Sequence, residues 1–200
     1  MLFESAQLSA QENYQLLVGG VTPRPIAWIS SLSAAGVANL APYSFFSVAS
    51  CNPPVLSFTQ VTPRDLKNKD TLTNLSETGE CVVHIVNEAL LEKMNLTSAL
   101  LPSTESEFQF ANIATCASQT VNVPSVADAP VRYECKLREI IQVSDLPMGG
   151  TLVLLDVKAV VVADSLLENG RINQAALESV GKMGGDWYAL TSAQRELARP

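Results

Sequence analysis

The sequence predicts a mainly β domain with peripheral helices, occupying residues 1–200 as one unit. Three observations carry this reading. Apolar runs rich in β-branched residues outnumber segments of helical period. The two longest, Val131 to Val143 and Thr151 to Val162, flank the turn Pro147-Met148-Gly149-Gly150 and so make a hairpin. No Gly/Ser linker, repeat or run of like charge divides the chain, and its eleven prolines are spread through connecting segments.

Ser9 and Glu12 have capping-box spacing, and Gly19-Gly20 supplies a stop, so a short helix opens the chain. After the corner Thr22-Pro23-Arg24-Pro25, residues Ile26 to Ser31 form a strand that breaks at Ala35-Gly36, and a second extended run reaches from Tyr43 to Val48. Pro53-Pro54 bars helix and leads into the strand Val55 to Thr59, on which Ser57 and Thr59 share one face. Lys69-Asp70-Thr71 starts a helix that Gly79 ends, and Cys81 to Val86 is a buried strand. The spacing of Leu90, Leu91, Met94 and Leu96 predicts a helix over 88–100, followed by a loop and a short element near Phe108. Asn173 caps a last helix running through Val180, and Met183-Gly184-Gly185-Asp186-Trp187-Tyr188 is a glycine-hinged loop bearing two aromatics.

A net charge of −7 argues against a broad nucleic-acid surface, which needs clustered Lys and Arg. The N-terminal residues lack a basic segment followed by an apolar core, and no apolar run reaches the ~18 residues of a membrane span. A cytoplasmic protein with neither nucleic-acid nor membrane partners is the expectation. Cys51, Cys81, Cys116 and Cys135 have no CxxC or zinc-type spacing and read as small core hydrophobes. With His84 the only histidine, multi-His metal sites are excluded and most hydrolase arrangements lose their base. No metal is expected. Neither GxGxxG nor GxxxxGK[ST] is present, so the glycine pairs 19–20, 149–150 and 184–185 read as turns.

The stretch RPIAWISSLSAAGVANLAPYSFFSVASCNPPVLSFTQ changes the picture. Arg24 to Trp28, Gly36, Asn39 to Ser44, Pro53-Pro54, and the later Lys69-Asp70-Thr71 with Asn74 together resemble flavin-reductase-like, FMN-binding split-barrel proteins. Weaker echoes continue through Glu107-Phe108, Cys135, Gly184-Gly185 and Tyr188, so the resemblance covers roughly residues 12 to 190. It implies a split β-barrel of six strands with Greek-key character, a homodimer, and one FMN per subunit near the dimer interface. Residue chemistry is compatible with a flavin phosphate. Ser44, Ser57, Thr59, Arg64, Lys69 and Thr71 supply hydroxyls, a guanidinium and an ammonium, and a helix starting at Asp70 adds free N–H groups. Without the resemblance, Arg64 and Lys69 read equally as solvated loop charges. Trp28 and Tyr43 are candidates either to lie against the isoalloxazine or to fill the core. Backbone groups of Asn39 to Ser44, Ala41 included, are candidates for the flavin pyrimidine edge, with Asn39 a candidate to tune the ring. Trp187 and Tyr188 either cover the ring or pack.

Three positions depart from the family pattern: His84 stands where relatives commonly carry Asn, Lys182 where they often carry Arg, and the strand ending at Val162 lacks a histidine. His84 in an apolar strand reads as a hydrogen-bonded core residue rather than a catalyst. The resemblance implies an oxidoreductase that moves hydride from NAD(P)H to flavin and passes electrons to an unidentified acceptor. No acid or base is singled out as catalytic, because the redox chemistry belongs to the cofactor. The alternative is an FMN-binding electron carrier, resembling flavoredoxin, that works with another redox protein.

Overall fold

The computed structural model describes residues 1–62 and 69–198. Helix α1 (Ala10–Gly20) carries the predicted capping box: the Ser9 hydroxyl accepts from the Glu12 N–H at 3.3 Å, and the Glu12 carboxylate accepts from the Ser9 N–H at 2.9 Å. β1 (Arg24–Pro25), β2 (Ala27–Leu32), β3 (Ala38–Tyr43), β4 (Phe46–Cys51) and β5 (Pro54–Val61) follow. α2 (Asp70–Thr78) stops at Gly79, whose φ of +71° is the left-handed conformation that glycine adopts without a Cβ clash. Then come β6 (Glu80–Ile85), α3 (Leu91–Leu96), α4 (Glu107–Phe110), and the small ribbon of β7 (Thr115–Cys116) with β8 (Ser125–Val126). The predicted hairpin is β9 (Val131–Gln142) with β10 (Gly150–Val162). The chain closes with β11 (Leu167–Glu168), β12 (Arg171–Ile172), α5 (Gln174–Leu177), β13 (Val180–Lys182) and β14 (Tyr188–Leu190).

Two helices are shorter than their sequence pattern predicts. The segment 88–100 divides into a 3-10 turn over 88–90 and α3, which ends at Leu96. There the Thr97 hydroxyl donates to Met94 O at 2.7 Å, a side-chain bond that competes with the helix ladder. Asn173 does cap α5, accepting from Ala175 and Ala176 N–H, but Glu178 turns left-handed at φ 48°. Val180 thereby leaves the helical path and pairs with Leu190 in β13. Sheet pairing and burial of Val180 override the helical spacing.

The principal sheet is antiparallel with order β3-β2-β6-β9-β10-β5-β4. β3 and β4 are separated only by Ser44 and Phe45, and Phe45 O accepts the Thr59 N–H at 2.8 Å. One run therefore pairs first with β2 and then with β5, closing the sheet into a barrel of six strands. β5 and β6 are consecutive strands of this sheet in sequence yet are separated in it by β10 and β9, which is the Greek-key feature. A mainly β split barrel is thus the fold, as the resemblance implied.

Strand alternation sorts the core into two layers. The cluster containing Ala27, Ile29, Tyr43, Phe58, Val83, Cys135 and Leu155 draws on all six strands and is the barrel interior. α2 plugs one end of it with Leu72 and Leu75. The plug is tied in by a buried polar network: Asn39 Nδ2 donates to Thr71 Oγ1 at 2.8 Å and Asn74 Nδ2 to Ser31 Oγ at 3.0 Å. Outside the barrel, Trp28 and Leu40 meet Met94 and Phe108 of α3 and α4. A three-stranded sheet of β1, β13 and β14 lies beside this layer. At Gly181 a Cβ would stand 2.7 Å from Pro23 Cβ, so the close pairing of β1 with β13 demands glycine.

Among the described residues no helix is long and apolar enough to cross a membrane.

Candidate functional site

β3 organises the site because its two faces do different work. Asn39, Ala41 and Tyr43 point into the barrel, whereas Leu40 and Pro42 point outward, with Ser44 at the corner beyond. Among the described residues β3 pairs only with β2, and on its far edge the Leu40 N–H donates to Glu107 Oε2 at 2.8 Å. Pro42, two residues on, shares that edge, so its missing N–H costs no ladder bond. Glu107 is buried, and desolvation pushes its carboxyl pKa up although the Leu40 N–H stabilises the anion.

At the outer face lies a pocket of about 260 Å³. Ile26, Pro42 and Ser44 form one wall, Met94, Asn95 and Ser98 of α3 and its following turn a second, and Lys182, Gly185, Asp186 and Tyr188 of the β13–β14 hairpin a third. The Tyr188 hydroxyl donates to Asn95 Oδ1 at 3.0 Å, joining hairpin to helix. Lys182 Nζ stands 4.1 Å from the Tyr188 ring centroid and donates to Gly185 O at 2.6 Å and Trp187 O at 3.4 Å. Partial burial lowers the Lys182 pKa, with Asp186 pulling it back up and Arg24 pushing it down. Arg24 holds the hairpin in place: it is 5% exposed and donates to Val18 O at 2.6 Å, Val21 O at 3.0 Å and Met183 O at 3.0 Å. Its Nε also reaches Ser44 Oγ at 3.4 Å.

On the opposite side of β3, the mouth of the barrel holds a further cation. Lys69 precedes α2, and its carbonyl accepts from the Leu72 N–H at 3.0 Å. Its Nζ lies 5.5 Å from the Tyr43 ring centroid, and the desolvation this packing brings pulls its pKa below the ordinary lysine value. Among the described residues Lys69 makes no ion pair. The Tyr43 hydroxyl is buried and finds no hydrogen-bond partner among the described residues. Thr71 is close enough to act on its ionisation without making a bond of good geometry, and burial drives the phenol pKa well up.

The residues singled out from sequence therefore separate. Trp28 is fully buried and its Nε1 donates to Thr97 Oγ1 at 2.9 Å, so the indole is a core group and not a ring platform. Asn39 Nδ2 donates to Thr71 Oγ1, and both side chains are buried inside the barrel. Ala41 packs on the barrel core, and Tyr43 fills it beside Phe58 at a centroid distance of 4.8 Å. Ser44 faces the pocket. Ser57 and Thr59 share the outward face of β5, and Ser57 Oγ donates to Ser47 O at 3.3 Å. Lys69 and Asp70 stand at the start of α2. Arg64 lies outside the described residues.

His84 is the core histidine its sequence context predicts. Nε2 accepts from the Val126 N–H at 3.0 Å, which assigns the proton to Nδ1, and Nδ1 donates to Trp28 O at 2.8 Å. Desolvation holds its pKa down at about 4. Tyr188 lines the pocket, while Trp187 is 77% exposed at the hairpin tip. Asn95, Ser98 and the scaffold role of Arg24 were not legible as site features. The only sequence signal was the i, i+3 placement of Asn95 and Ser98 beside Met94 on one helical face.

The model of the flavin reductase like domain matches residues 19–177. YwrF of Bacillus subtilis, whose activity is uncharacterized, is 39% identical over 208 residues, covering 100% of this chain and 98% of that one. Nitrilotriacetate monooxygenase component B from Bacillus cereus superposes with a TM-score of 0.93 at 36% identity, covering 98% of each chain. The 2-nitrobenzoate 2-nitroreductase NbaA from Pseudomonas fluorescens gives a TM-score of 0.90 at 30% identity, covering 100% of this chain and 96% of that one. With the closed barrel and these matches along nearly its whole length, the chain belongs to the flavin reductase-like domain family, whose chemistry is flavin-linked redox.

Proposed function

We propose that the protein is an FMN-dependent oxidoreductase that accepts hydride from NAD(P)H and delivers electrons to a small acceptor, working as a homodimer. The observation that carries the cofactor assignment is Lys69: an exposed ammonium 5.5 Å from the Tyr43 ring centroid and beside the N-terminus of a nine-residue helix, with no carboxylate paired to it among the described residues. The first-turn N–H groups of a helix lack intrahelical acceptors, and a phosphate dianion satisfies both these donors and the cation. A cation beside a helix start suits a terminal phosphate such as that of FMN. The outward hydroxyl of Thr59 is a further donor to the cofactor's polar chain, and that of Ser57 would join it by exchanging its bond to Ser47 O. The cofactor's ring would lie along Pro42 and Ser44 at the mouth of the pocket. Bound FMN supplies the hydride-accepting ring, and the chain supplies placement.

A pocket of about 260 Å³ is smaller than the roughly 300–1,000 Å³ that encloses a ligand of this size. A second copy supplies the missing cover. Leu17, Val21 and Val48 are each more than 60% exposed, which leaves apolar surface to bury. The test is a titration of the purified chain with FMN, followed by NADH and NADPH oxidation and by sedimentation. Expected are one FMN per chain, nucleotide oxidation that depends on flavin, and a dimer. Tight FMN binding without nucleotide oxidation would replace the enzyme reading with the electron-carrier one. A fully active monomer would remove the shared-cover site.

A further inference from the structure

We propose that Arg24, acting through Ser44, is a positioning residue whose buried charge shifts bound flavin toward its reduced form. The inference rests on the flavin reading and names what sets the balance between the two forms. Arg24 is 5% exposed and makes no ion pair among the described residues. Its partners are neutral: Val18 O and Val21 O at the end of α1, Met183 O in the β13–β14 hairpin, and Ser44 Oγ at 3.4 Å. The Phe45 ring centroid lies 6.0 Å from the guanidinium carbon. Carbonyls and a ring take up its N–H groups and its face but do not cancel its charge, so its field extends past them, weakly screened by the protein around it. That field reaches the pocket, where Arg24 pushes down the pKa of Lys182. The lining itself carries one charge of each sign, Lys182 and Asp186, so Arg24 behind the wall is the uncompensated one.

Ser44 transmits this charge. It lines the pocket, and its oxygen accepts from the Arg24 Nε–H, which leaves the Ser44 O–H to donate into the pocket. A hydroxyl whose oxygen accepts from a cation is polarised and becomes a stronger donor. Hydride carries two electrons and one proton, so its transfer leaves NAD(P)+ and adds one negative charge at the flavin ring. A ring along Pro42 and Ser44 would gain that charge beside the polarised hydroxyl and in the field of the guanidinium. Both groups are fixed before the charge arrives, so they stabilise the reduced form more than the oxidised one.

The test is the two-electron potential of protein-bound FMN, equilibrated anaerobically with a reference dye, in the parent and four variants. The potential reports the ratio of affinities for reduced and oxidised FMN. Arg24→Met should lower that ratio at least tenfold, equivalent to about 30 mV. Arg24→Lys, which keeps the charge but gives up the planar fork, should stay within threefold of the parent. Ser44→Ala should lower the ratio at least threefold, and Ser44→Thr should preserve it. Loosened structure alone would move Arg24→Met and Arg24→Lys together, and that result overturns the proposal. So does a ratio in Arg24→Met or Ser44→Ala within twofold of the parent. Should Arg24→Met fail to fold, the Ser44 pair decides, because Ser44 holds only the longest of the four Arg24 bonds. A parent that binds no FMN refutes the flavin reading and this inference with it, whereas FMN bound at one potential in every variant refutes this inference alone.

Discussion

Replacing Arg24 by Met should destabilise the fold and loosen the pocket wall together. The guanidinium is 5% exposed and makes three short bonds, to Val18 O, Val21 O and Met183 O, at 2.6, 3.0 and 3.0 Å. Hydrogen bonds to a charged group contribute about 1.5–3 kcal/mol each, so the gross loss is roughly 4.5–9 kcal/mol. Two effects offset it. The parent pays to desolvate a cation, and carbonyls left near the surface in the variant regain water. A net loss of about 2–4 kcal/mol remains, which for a domain of this size lowers the melting temperature by roughly 5–15 °C. Met preserves the apolar stem, so lost packing contributes little. Lys keeps the charge, but one ammonium cannot span the end of α1 and the β13–β14 hairpin at once, and Arg24→Lys should fall between parent and Met. Thermal and urea unfolding measure the stability, and amide exchange over residues 181–190 reports the hairpin. A melting temperature within about 2 °C of the parent, or unchanged hairpin exchange, would refute the clamp.

Lys69→Ala should weaken FMN about 10- to 150-fold, the equivalent of one charge-assisted contact of roughly 1.5–3 kcal/mol, and leave riboflavin binding nearly unchanged. Equal loss for both ligands would point to a fold defect, and no loss for FMN would remove the phosphate site. His84 supplies a pH test: desolvation holds its folded pKa at about 4 against an ordinary 6.5, so the unfolded chain takes up a proton that the folded chain refuses. Its contribution to stability is therefore whole above pH 6.5 and declines toward pH 4, by on the order of 3 kcal/mol. The difference in urea midpoint between parent and His84→Gln should shift across that window, and parallel pH profiles would show that His84 does not titrate this way. Cys51 is exposed, so Cys51→Ser should be neutral, whereas Ser at Cys81 or Cys135 buries a hydroxyl and costs about 1–3 kcal/mol without changing FMN affinity. A folded variant lacking all four thiols that binds FMN yet has no turnover would give cysteine a catalytic part.

Much of the scaffold was legible because local signals and tertiary demands agree. Ser9 and Glu12 close their box, Gly79 takes the left-handed turn that ends α2, and the Pro-Met-Gly-Gly turn joins β9 to β10. Helix ends failed where a distant partner competed. Val180 has helical spacing, yet its pairing with Leu190 and its burial take it into a strand. Likewise Thr97 is held by the Trp28 indole, 69 residues away in sequence, a contact that no local window contains.

The candidate site was harder to read because alternation tells which residues share a face but not which face meets the ligand. In an open sheet one face is dry and the other wet, so polar residues mark the functional side. A barrel covered by α3 and α4 has two dry faces at β3, one inside and one outside. Asn39 therefore looked like a ligand contact, although its amide serves to bind α2 into the barrel mouth. Pro42 fell within the run marked for its backbone groups, whereas its ring serves as a wall of the pocket. The remaining walls come from α3 and from the hairpin at 180–190, brought to β3 by Tyr188 bonding Asn95 and by Arg24 reaching Met183. Such a site is a property of closure. Its residues become neighbours only after the run from Ala38 to Cys51 has exchanged β2 for β5, so variants at Ser44 or Phe45, where the exchange happens, should alter pocket and barrel together.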